Sequence, residues 1–207
     1  LYYFGEPGMQ EYESAKFVKE TLESAGFNVE LGGAGMPTNV WAKWGSGKPV
    51  IAIATEMDAL PEGSQTPGSI PRKPLVEGAP GHMEGHNVMG AVGVGAAFAV
   101  KKAMEQFKIP GTVVLSIGPA EEQLMSRPYL VRDGYFKDVD AAIITHVADQ
   151  SATGYGLQNY ALIGAKFTFK GKTAHGGVNP WDGKDAVDAV VLMDIGLPGL
   201  NGIEATT

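Results

Sequence analysis

The sequence predicts an α/β fold in which a mostly parallel sheet is flanked by helices. Helix-like and strand-like segments alternate along most of the 207 residues. The run Pro49 to Ala54 (PVIAIA) is continuously apolar, as expected for a strand that is buried on both faces of a parallel sheet. From Ala161 onward the pattern changes, and Ala165 to Lys170 alternates between polar and apolar residues, which indicates a half-exposed antiparallel strand and a new subdomain. We therefore expect two domains, residues 1–160 and 161–207.

The elements of the first half follow from spacing and from turn residues. Glu11 to Ala25 carries apolar side chains at helical spacing, and Gly26 follows as a natural stop. A loop as long as Pro61 to Pro80, rich in Pro, Gly and Ser, tends to be functional inside a compact domain. The remaining predicted elements are strands at Phe27 to Leu31, Asn39 to Trp44 and Pro49 to Ala54, and a buried helix at Asn87 to Gln106.

The second half continues the alternation. Strands are predicted at Gly111 to Ile117 and Ala141 to Thr145, part of a helix at Arg127 to Asp133, and a further helix at Asp185 to Met193.

Composition excludes several classes of protein. The chain is 44% hydrophobic and 19% charged, which is typical of globular proteins. Its net charge of −7, without any Lys/Arg run, argues against a nucleic-acid partner. No apolar stretch reaches the roughly 18 residues of a membrane span, and no signal peptide is visible before a start that lacks Met. We expect a cytoplasmic protein with a trimmed start.

Polar residues follow the predicted strands. In open α/β sheets, ligands bind beyond the carboxyl ends of the strands, and four groups of residues lie there. They are Thr55 to Asp58, His82 to Asn87, Glu121 with Glu122, and His146. The convergence of imidazoles and carboxylates from separate segments predicts a metalloenzyme. Because the chain has no cysteine, its metal ligands must be nitrogen and oxygen atoms.

Each group also has a simpler interpretation. Asp58 is either a turn cap or a carboxylate that orients a ligating imidazole. Glu84 and His86 are either part of an ordinary polar loop or, flanked by glycines, part of a metal loop.

The same holds for the later groups. Glu121 and Glu122 either complement a helix dipole or divide the work, one binding metal and the other transferring protons. His146 is either a half-buried structural histidine or a metal ligand.

Several motifs together resemble a known family. The runs Glu56 to Pro61, Gly85-His86, Gly118 to Glu122 and Gly171 to Gly176 resemble the metal-dependent aminoacylase/carboxypeptidase family of amidohydrolases. Gly78 to Asn87 is most similar to the aminobenzoyl-glutamate hydrolase branch. The resemblance extends from about Glu6 to about Met193. It implies a zinc-aminopeptidase-like catalytic domain, followed by a ferredoxin-like α+β lid through which the protein forms a homodimer.

The resemblance also implies roles for single residues. Glu121 corresponds to the general base that activates water, and Glu122, His86 and His146 correspond to metal ligands. Glu84 stands where hippurate-type relatives carry a ligating cysteine, and it is assigned as a ligand. A carboxylate in place of a thiolate favours a harder ion, so we expect one or two divalent ions, Zn²⁺ or Mn²⁺.

Two further residues are assigned in the same way. Asp58 corresponds to the acid that orients a ligand. His175 corresponds to the lid histidine that polarises the scissile carbonyl group, although a histidine at a strand end beside Gly176 and Gly177 is the simpler interpretation.

The predicted function is metal-dependent hydrolysis of a small-molecule amide. The expected substrate is an N-acyl or aryl-amide conjugate of an amino acid, similar to aminobenzoyl-glutamate. One alternative is a hydrolytic deaminase of an aromatic amino acid with the same site. The other is a non-catalytic fragment or metal-binding module, because nothing in the chain matches the family's second half, which supplies a further metal-binding histidine.

The tail departs from the family pattern. Residues 190–207 resemble the phosphoacceptor segment of bacterial receiver domains, with Asp194 as the acceptor, and Pro198 interrupts the expected lid helix. A truncated, frameshifted or spliced sequence would explain both this tail and the missing half.

Overall fold

The computed structural model describes residues 1–156 and 165–196. The chain divides into two compact units, Leu1–Gly156 and Leu157–Thr207. The predicted domain boundary at residue 160 lies outside the described residues.

A five-stranded mixed sheet forms the centre of the first unit, and it confirms the predicted fold class. The strand order is β1-β2-β4-β3-β5. β3 is parallel to both β4 and β5, whereas β1 and β2 join the other edge in antiparallel pairs. The strands are β1 (Asn28–Leu31), β2 (Val40–Ser46), β3 (Val50–Glu56), β4 (Gly111–Gly118) and β5 (Ala141–Ile144).

Three helices accompany this sheet: α1 (Tyr12–Ser24), α2 (His86–Phe107) and α3 (Arg127–Arg132). The 22-residue α2 contacts β3 and β4, while α1 contacts β1 and β2. A side chain at Gly93 of α2 would place its Cβ 2.8 Å from Thr55 Cγ2 of β3. Glycine therefore allows α2 to pack closely against the central strand.

Alternation along the strands creates two apolar layers. On one face, buried strand residues pack against α1 and α2. On the other face, Trp41, Ala52 and Val114 pack against Tyr135 and Phe136, which follow α3. The first layer contains Ala15, Val18 and Leu22 of α1, Ala97 of α2, and Val40, Ala42, Ile53, Val113, Leu115 and Ile117 of the sheet. The sheet is thus buried at its centre, and its strand ends are left to form a site.

The described part of the second unit contains α4 (Ala186–Gly196) and a short 3₁₀ turn at Pro180–Asp182. The prediction of a helix from Asp185 to Met193 is confirmed, with an end three residues later. The predicted strand Ala165 to Lys170 is wrong, since these residues have no regular structure; in the described part of this unit a bridge pairs Lys172 with Lys184. An alternating pattern specifies which residues share a face, but a strand also needs a partner for its backbone hydrogen bonds. The ferredoxin-like lid stays a prediction.

Among the described residues, no helix combines the length and the apolar character needed to cross a membrane.

Candidate metal centre

Polar residues from separate segments come together at the carboxyl ends of the parallel strands. β3 ends at Glu56 and β4 at Gly118, β5 ends at Ile144, and α2 begins at His86. Asp58, Glu84, His86, Glu121 and His146 all contact at least one other member of this set. The sheet therefore places residues that are distant in sequence at one position.

Glu84, His86 and His146 form the core of the candidate centre. Each offers one ligand atom, and the three atoms lie within 4.8 Å of one another. Glu84 Oε2 is 3.0 Å from His86 Nε2, and Glu84 Oε1 is 3.7 Å from His146 Nε2. The two imidazole rings stand edge to face with centroids 5.9 Å apart. Two imidazole nitrogens and a carboxylate so close together are a donor set suited to a divalent transition metal.

His86 is the most strongly constrained of these residues. It is 1% exposed, and its Nδ1 lies 3.0 Å from Oδ1 of the buried Asp58. An ionised carboxylate can only accept a hydrogen bond, so Nδ1 of His86 carries a proton. When the ring is neutral, the lone pair is therefore on Nε2 and faces Glu84. This Nε2 is buried and makes no hydrogen bond within the described part of the chain, because the contact with Glu84 lacks hydrogen-bond geometry.

The charges around His86 are those of a cation site. Burial disfavours the imidazolium, but the hydrogen bond and charge of Asp58, together with the charge of Glu84, raise the pKa of His86 to about 9. Without a metal ion, a second proton on the His86 ring therefore supplies the positive charge that Asp58 and Glu84 attract. Binding of a metal ion to Nε2 would release that proton.

A glycine joins the two candidate ligands Glu84 and His86. Gly85 has a φ of 131° and precedes α2, and a Cβ here would lie 3.0 Å from Val147 Cγ1. Few residues other than glycine adopt this backbone conformation. The turn allows Glu84 and His86 to face the same point although they are only two residues apart.

The segment after β4 brings Glu121 and Glu122 to the same edge. They begin a short 3₁₀ turn, Glu121–Gln123, and Glu121 Oε2 lies 3.8 Å from His86 Nε2. The Glu122 N–H donates to Asp58 Oδ2 at 3.0 Å. The Glu122 carboxyl group lies near the centre but outside the group of ligand atoms within 4.8 Å. Burial raises its pKa, and the charges of Asp58 and Glu84 raise it further.

His146 follows β5 and is less constrained than His86. Its side chain is 48% exposed. Its Nδ1 lies 2.8 Å from the Val147 carbonyl oxygen, which can only accept, so Nδ1 carries a proton and Nε2 is the atom available to a metal.

His175 lies in the second unit. It is exposed, and its Nδ1 accepts a hydrogen bond from the Gly177 N–H at 3.1 Å. Its predicted role at the scissile carbonyl group stays a prediction, as do the individual roles assigned to the other site residues.

Two buried acids near the centre were given no role of their own from the sequence. Glu56, at the end of β3, is 1% exposed and pairs with Arg127. Glu11, just before α1, is fully buried and accepts a hydrogen bond from the Ala120 N–H at 2.8 Å. An acid at the end of an apolar strand could have indicated Glu56 from the sequence. No signal marked the second, because acids are common at the start of a helix.

Similarity to known proteins shows the family of the chain. The model of peptidase family M20/M25/M40 matches residues 52–202. A subunit of the p-aminobenzoyl-glutamate hydrolase of Escherichia coli (strain K12) is 40% identical over 196 residues, which are 95% of this chain and 40% of that protein. The N-acetyl-L-cysteine deacetylase of Bacillus subtilis (strain 168) is 30% identical over 90% of this chain and 45% of its own length. The chain thus spans less than half the length of these relatives.

Solved structures give the same result. The YXEP protein of Bacillus subtilis, described as a dinuclear metal-binding peptidase of the M20 family, is 29% identical and superposes with a TM-score of 0.58 over 69% of this chain and 38% of that one. The aminobenzoyl-glutamate utilization protein of Klebsiella pneumoniae, at 20% identity, shares the fold with a TM-score of 0.60 over 99% of this chain and 56% of its own. The predicted resemblance to metal-dependent amidohydrolases is confirmed at the level of the family, and the chain belongs to peptidase family M20/M25/M40.

Proposed function

We propose that the protein to which this chain belongs hydrolyses the amide bond of an N-acyl or aryl-amide conjugate of an amino acid, using one or two divalent metal ions. The observation that carries the proposal is His86 Nε2. This nitrogen is buried, makes no hydrogen bond among the described residues, and lies beside the Glu84 carboxylate and the His146 ring. A buried polar atom without a partner costs stability unless a ligand satisfies it.

The residues present fit a divalent ion. Glu84, His86 and His146 would hold it, with Glu122 as a further ligand from the neighbouring turn. The donors are nitrogen and oxygen atoms, which suits Zn²⁺ or Mn²⁺. When bound, such an ion polarises the amide carbonyl group as a Lewis acid and lowers the pKa of water toward neutrality.

The chain's own residues supply the proton transfers. Glu121 has its carboxylate at the edge of the cluster, 3.8 Å from His86 Nε2. It would accept a proton from the attacking water and then donate it to the nitrogen of the leaving amine, so that one carboxyl group acts as base and then as acid. Asp58 holds the Nδ1 proton of His86 and thereby keeps Nε2 directed at the centre.

The names of the relatives support the substrate class. A p-aminobenzoyl-glutamate hydrolase and an N-acetyl-L-cysteine deacetylase both act, by name, on an amide formed with an amino acid. We therefore expect a substrate with an acyl or aryl group on one side of the amide and an amino acid on the other. The deaminase alternative would use the same water but release ammonia.

The test begins with metal content. The purified protein is loaded with Zn²⁺ or Mn²⁺, its bound metal is measured by elemental analysis, and it is incubated with p-aminobenzoyl-glutamate, N-acetyl and N-benzoyl amino acids and free aromatic amino acids. Released amines and ammonia are measured by chromatography. Metal binding with release of the amine supports the proposal, whereas ammonia release without amide cleavage favours the deaminase. Stoichiometric metal without any product favours a metal-binding module.

Glu121→Gln is the decisive variant for the chemistry. Since Glu121 is assigned as both base and acid, we expect a loss of about 10³-fold or more in kcat with metal content unchanged. Glu105→Gln, on the exposed side of α2 in a pair with Lys101, is the matched control and should have normal kcat. If Glu121→Gln retains full activity, the assignment of the site is wrong.

Other predictions concern the assembled protein. We propose the homodimer through the lid on the basis of the sequence resemblance, the cytoplasmic location on the basis of other features of the sequence, and the action of His175 on the scissile carbonyl group again on the basis of the resemblance. Sedimentation of the full protein would test the homodimer, and kinetics of His175→Ala would test the action of His175.

A further inference from the structure

Glu11 is a buried carboxylate with bonds to two distant segments. Its side chain is fully buried, Oε2 accepts a hydrogen bond from Thr38 Oγ1 at 2.5 Å, and Oε1 accepts one from the Ala120 N–H at 2.8 Å. Glu11 and Ala120 are 109 residues apart in sequence. The acid therefore connects the start of α1 to the segment that follows β4.

The segment it contacts has an unusual backbone. Ala120 is fully buried and left-handed, with φ 54° and ψ 43°. Leu124 and Ser126, later in the same segment, also have positive φ, at 55° and 69°. Residues other than glycine adopt this region only when the surrounding structure holds them there. Glu121 follows Ala120 directly, so the direction of its carboxylate depends on this conformation.

Two acids hold this turn on either side of Glu121. Glu11 accepts a hydrogen bond from the N–H of Ala120, which precedes Glu121. Asp58 accepts one from the N–H of Glu122, which follows Glu121, at 3.0 Å. Asp58 also contacts His86, so the turn is joined to the metal centre through one acid and to α1 and Thr38 through the other.

We propose that Glu11 is a positioning residue, which fixes Ala120 in its left-handed conformation and thereby holds the Glu121 carboxylate at the centre. This inference rests on the proposed function for the role of Glu121. Glu11 touches neither substrate nor metal in this scheme. It acts only through the backbone.

The chemistry of Glu11 supports this assignment. Burial raises the pKa of its carboxyl group, whereas its hydrogen bonds with Thr38 and Ala120 lower it. Burial of an acid lowers the stability of a fold unless other interactions compensate for it. The position of Glu11 beneath the Glu121 turn is therefore better explained by its hydrogen bonds with Thr38 and Ala120. Glutamine has the same shape, and its side-chain oxygen can accept from Ala120 while its amide donates to Thr38.

Four proteins test the proposal: the wild type, Glu11→Ala, Glu11→Gln, and the double variant Glu11→Ala with Ala120→Gly. We expect Glu11→Ala to lower kcat by roughly 10- to 100-fold, the range expected for a small misplacement of a catalytic group, with KM and bound Zn²⁺ unchanged. Glu11→Gln should restore most of kcat. Because glycine adopts the left-handed conformation without cost, the double variant should recover a large part of the loss.

A second measurement does not depend on activity. Amide hydrogen exchange, followed by NMR, should show slow exchange at Ala120 in the wild type and in Glu11→Gln. In Glu11→Ala the Ala120 amide should exchange at least about 10-fold faster, as expected for local opening. Leu115, at the centre of β4 in the core, is the internal control and should not change.

The outcomes separate this inference from the proposed function. A wild type that cleaves no amide contradicts the proposed function, while the exchange pattern at Ala120 still tests the positioning role. Rapid exchange of Ala120 in the wild type overturns the positioning role, even if Glu11→Ala fails to fold. If kcat of the double variant is as low as that of Glu11→Ala, the positioning role is also overturned, since the loss of kcat would then reflect general destabilisation.

Discussion

The two histidines of the candidate centre differ in how the fold holds them. His86 opens α2, is 1% exposed, and is fixed through Nδ1 by the buried Asp58. His146 follows the edge strand β5, is 48% exposed, and is held through Nδ1 only by the carbonyl group of its neighbour Val147. One proposed ligand is directed by a carboxylate across the site, and the other by its own backbone.

The difference shows which part of the centre exists before a metal ion binds. Asp58 fixes both the proton position and the orientation of the His86 ring, so metal binding costs little side-chain entropy there. The exposed His146 side chain would have to be ordered by the ion itself. The β3–α2 side of the proposed centre is therefore preorganised, and the β5 side would be completed on metal binding.

The largest effect is expected from removal of the preorganised ligand. Zinc binding at structural sites is worth about 10–16 kcal/mol, which over four ligands corresponds to roughly 10²- to 10³-fold in affinity for each. We expect His86→Ala to fall at the upper end of that range and His146→Ala at the lower end, because water can replace an exposed ligand. Isothermal titration with Zn²⁺ measures both variants, and equal losses would contradict the comparison.

A smaller effect is expected from the acid behind His86. Asp58→Asn keeps the shape of the side chain but weakens the bond to Nδ1, so Zn²⁺ affinity should fall by about 10- to 100-fold. Asp138→Asn is the matched control, since Asp138 is exposed and lies in the turn before β5, at the other end of the sheet. If Asp58→Asn binds Zn²⁺ as tightly as the control does, the preorganised state of His86 is not due to Asp58.

The same comparison explains what the sequence could predict. β3 was predictable because its apolar run is continuous, and the site because polar residues follow consecutive strands. His86, Glu84 and Asp58 could be assigned from local motifs and the family resemblance. By contrast, the partners of Glu56 and Glu11 are 71 and 109 residues away. No local pattern encodes such pairs, because only the packed sheet brings them together.

The predicted strand at Ala165 to Lys170 failed for a related reason. Its alternation was real, with Phe167 and Phe169 two residues apart, but alternation does not identify a pairing strand. The site was easier to predict than this strand, because motif residues carry their chemistry with them, whereas a strand needs hydrogen bonds from a neighbour.

The next prediction concerns the stability of the preorganised side. Glu56 is 1% exposed, burial raises the pKa of its carboxyl group, and the charge of Arg127 opposes that rise. Breaking a fully buried ion pair costs about 3–5 kcal/mol. Because Arg127 is 29% exposed, we expect Arg127→Leu to lower the free energy of unfolding by about 2 kcal/mol.

Urea unfolding, followed by circular dichroism, measures this change. Arg132→Leu is the control, since Arg132 pairs with Asp133 on the exposed surface of the next turn, where ion pairs contribute little. Similar changes in the two variants would show that the Glu56 pair is no more important than a surface pair.

The smallest expected effect concerns Glu11 and pH. Burial raises the pKa of Glu11 above its ordinary value of 4.5, so the fold favours the protonated form. The contribution of Glu11 to the free energy of unfolding is therefore fully present below pH 4.5. It is lost as the pH rises through the pKa of Glu11 in the folded protein. Glutamine resembles the protonated acid at every pH. Glu11→Gln should therefore raise Tm relative to the wild type at pH 7 by more than at pH 4. Glu13→Gln, at an exposed position in the first turn of α1, is the control for loss of an acid. A Tm difference that is the same at both pH values would mean that Glu11 is charged in the fold as readily as in water, and its retention beneath Glu121 would then need no functional explanation.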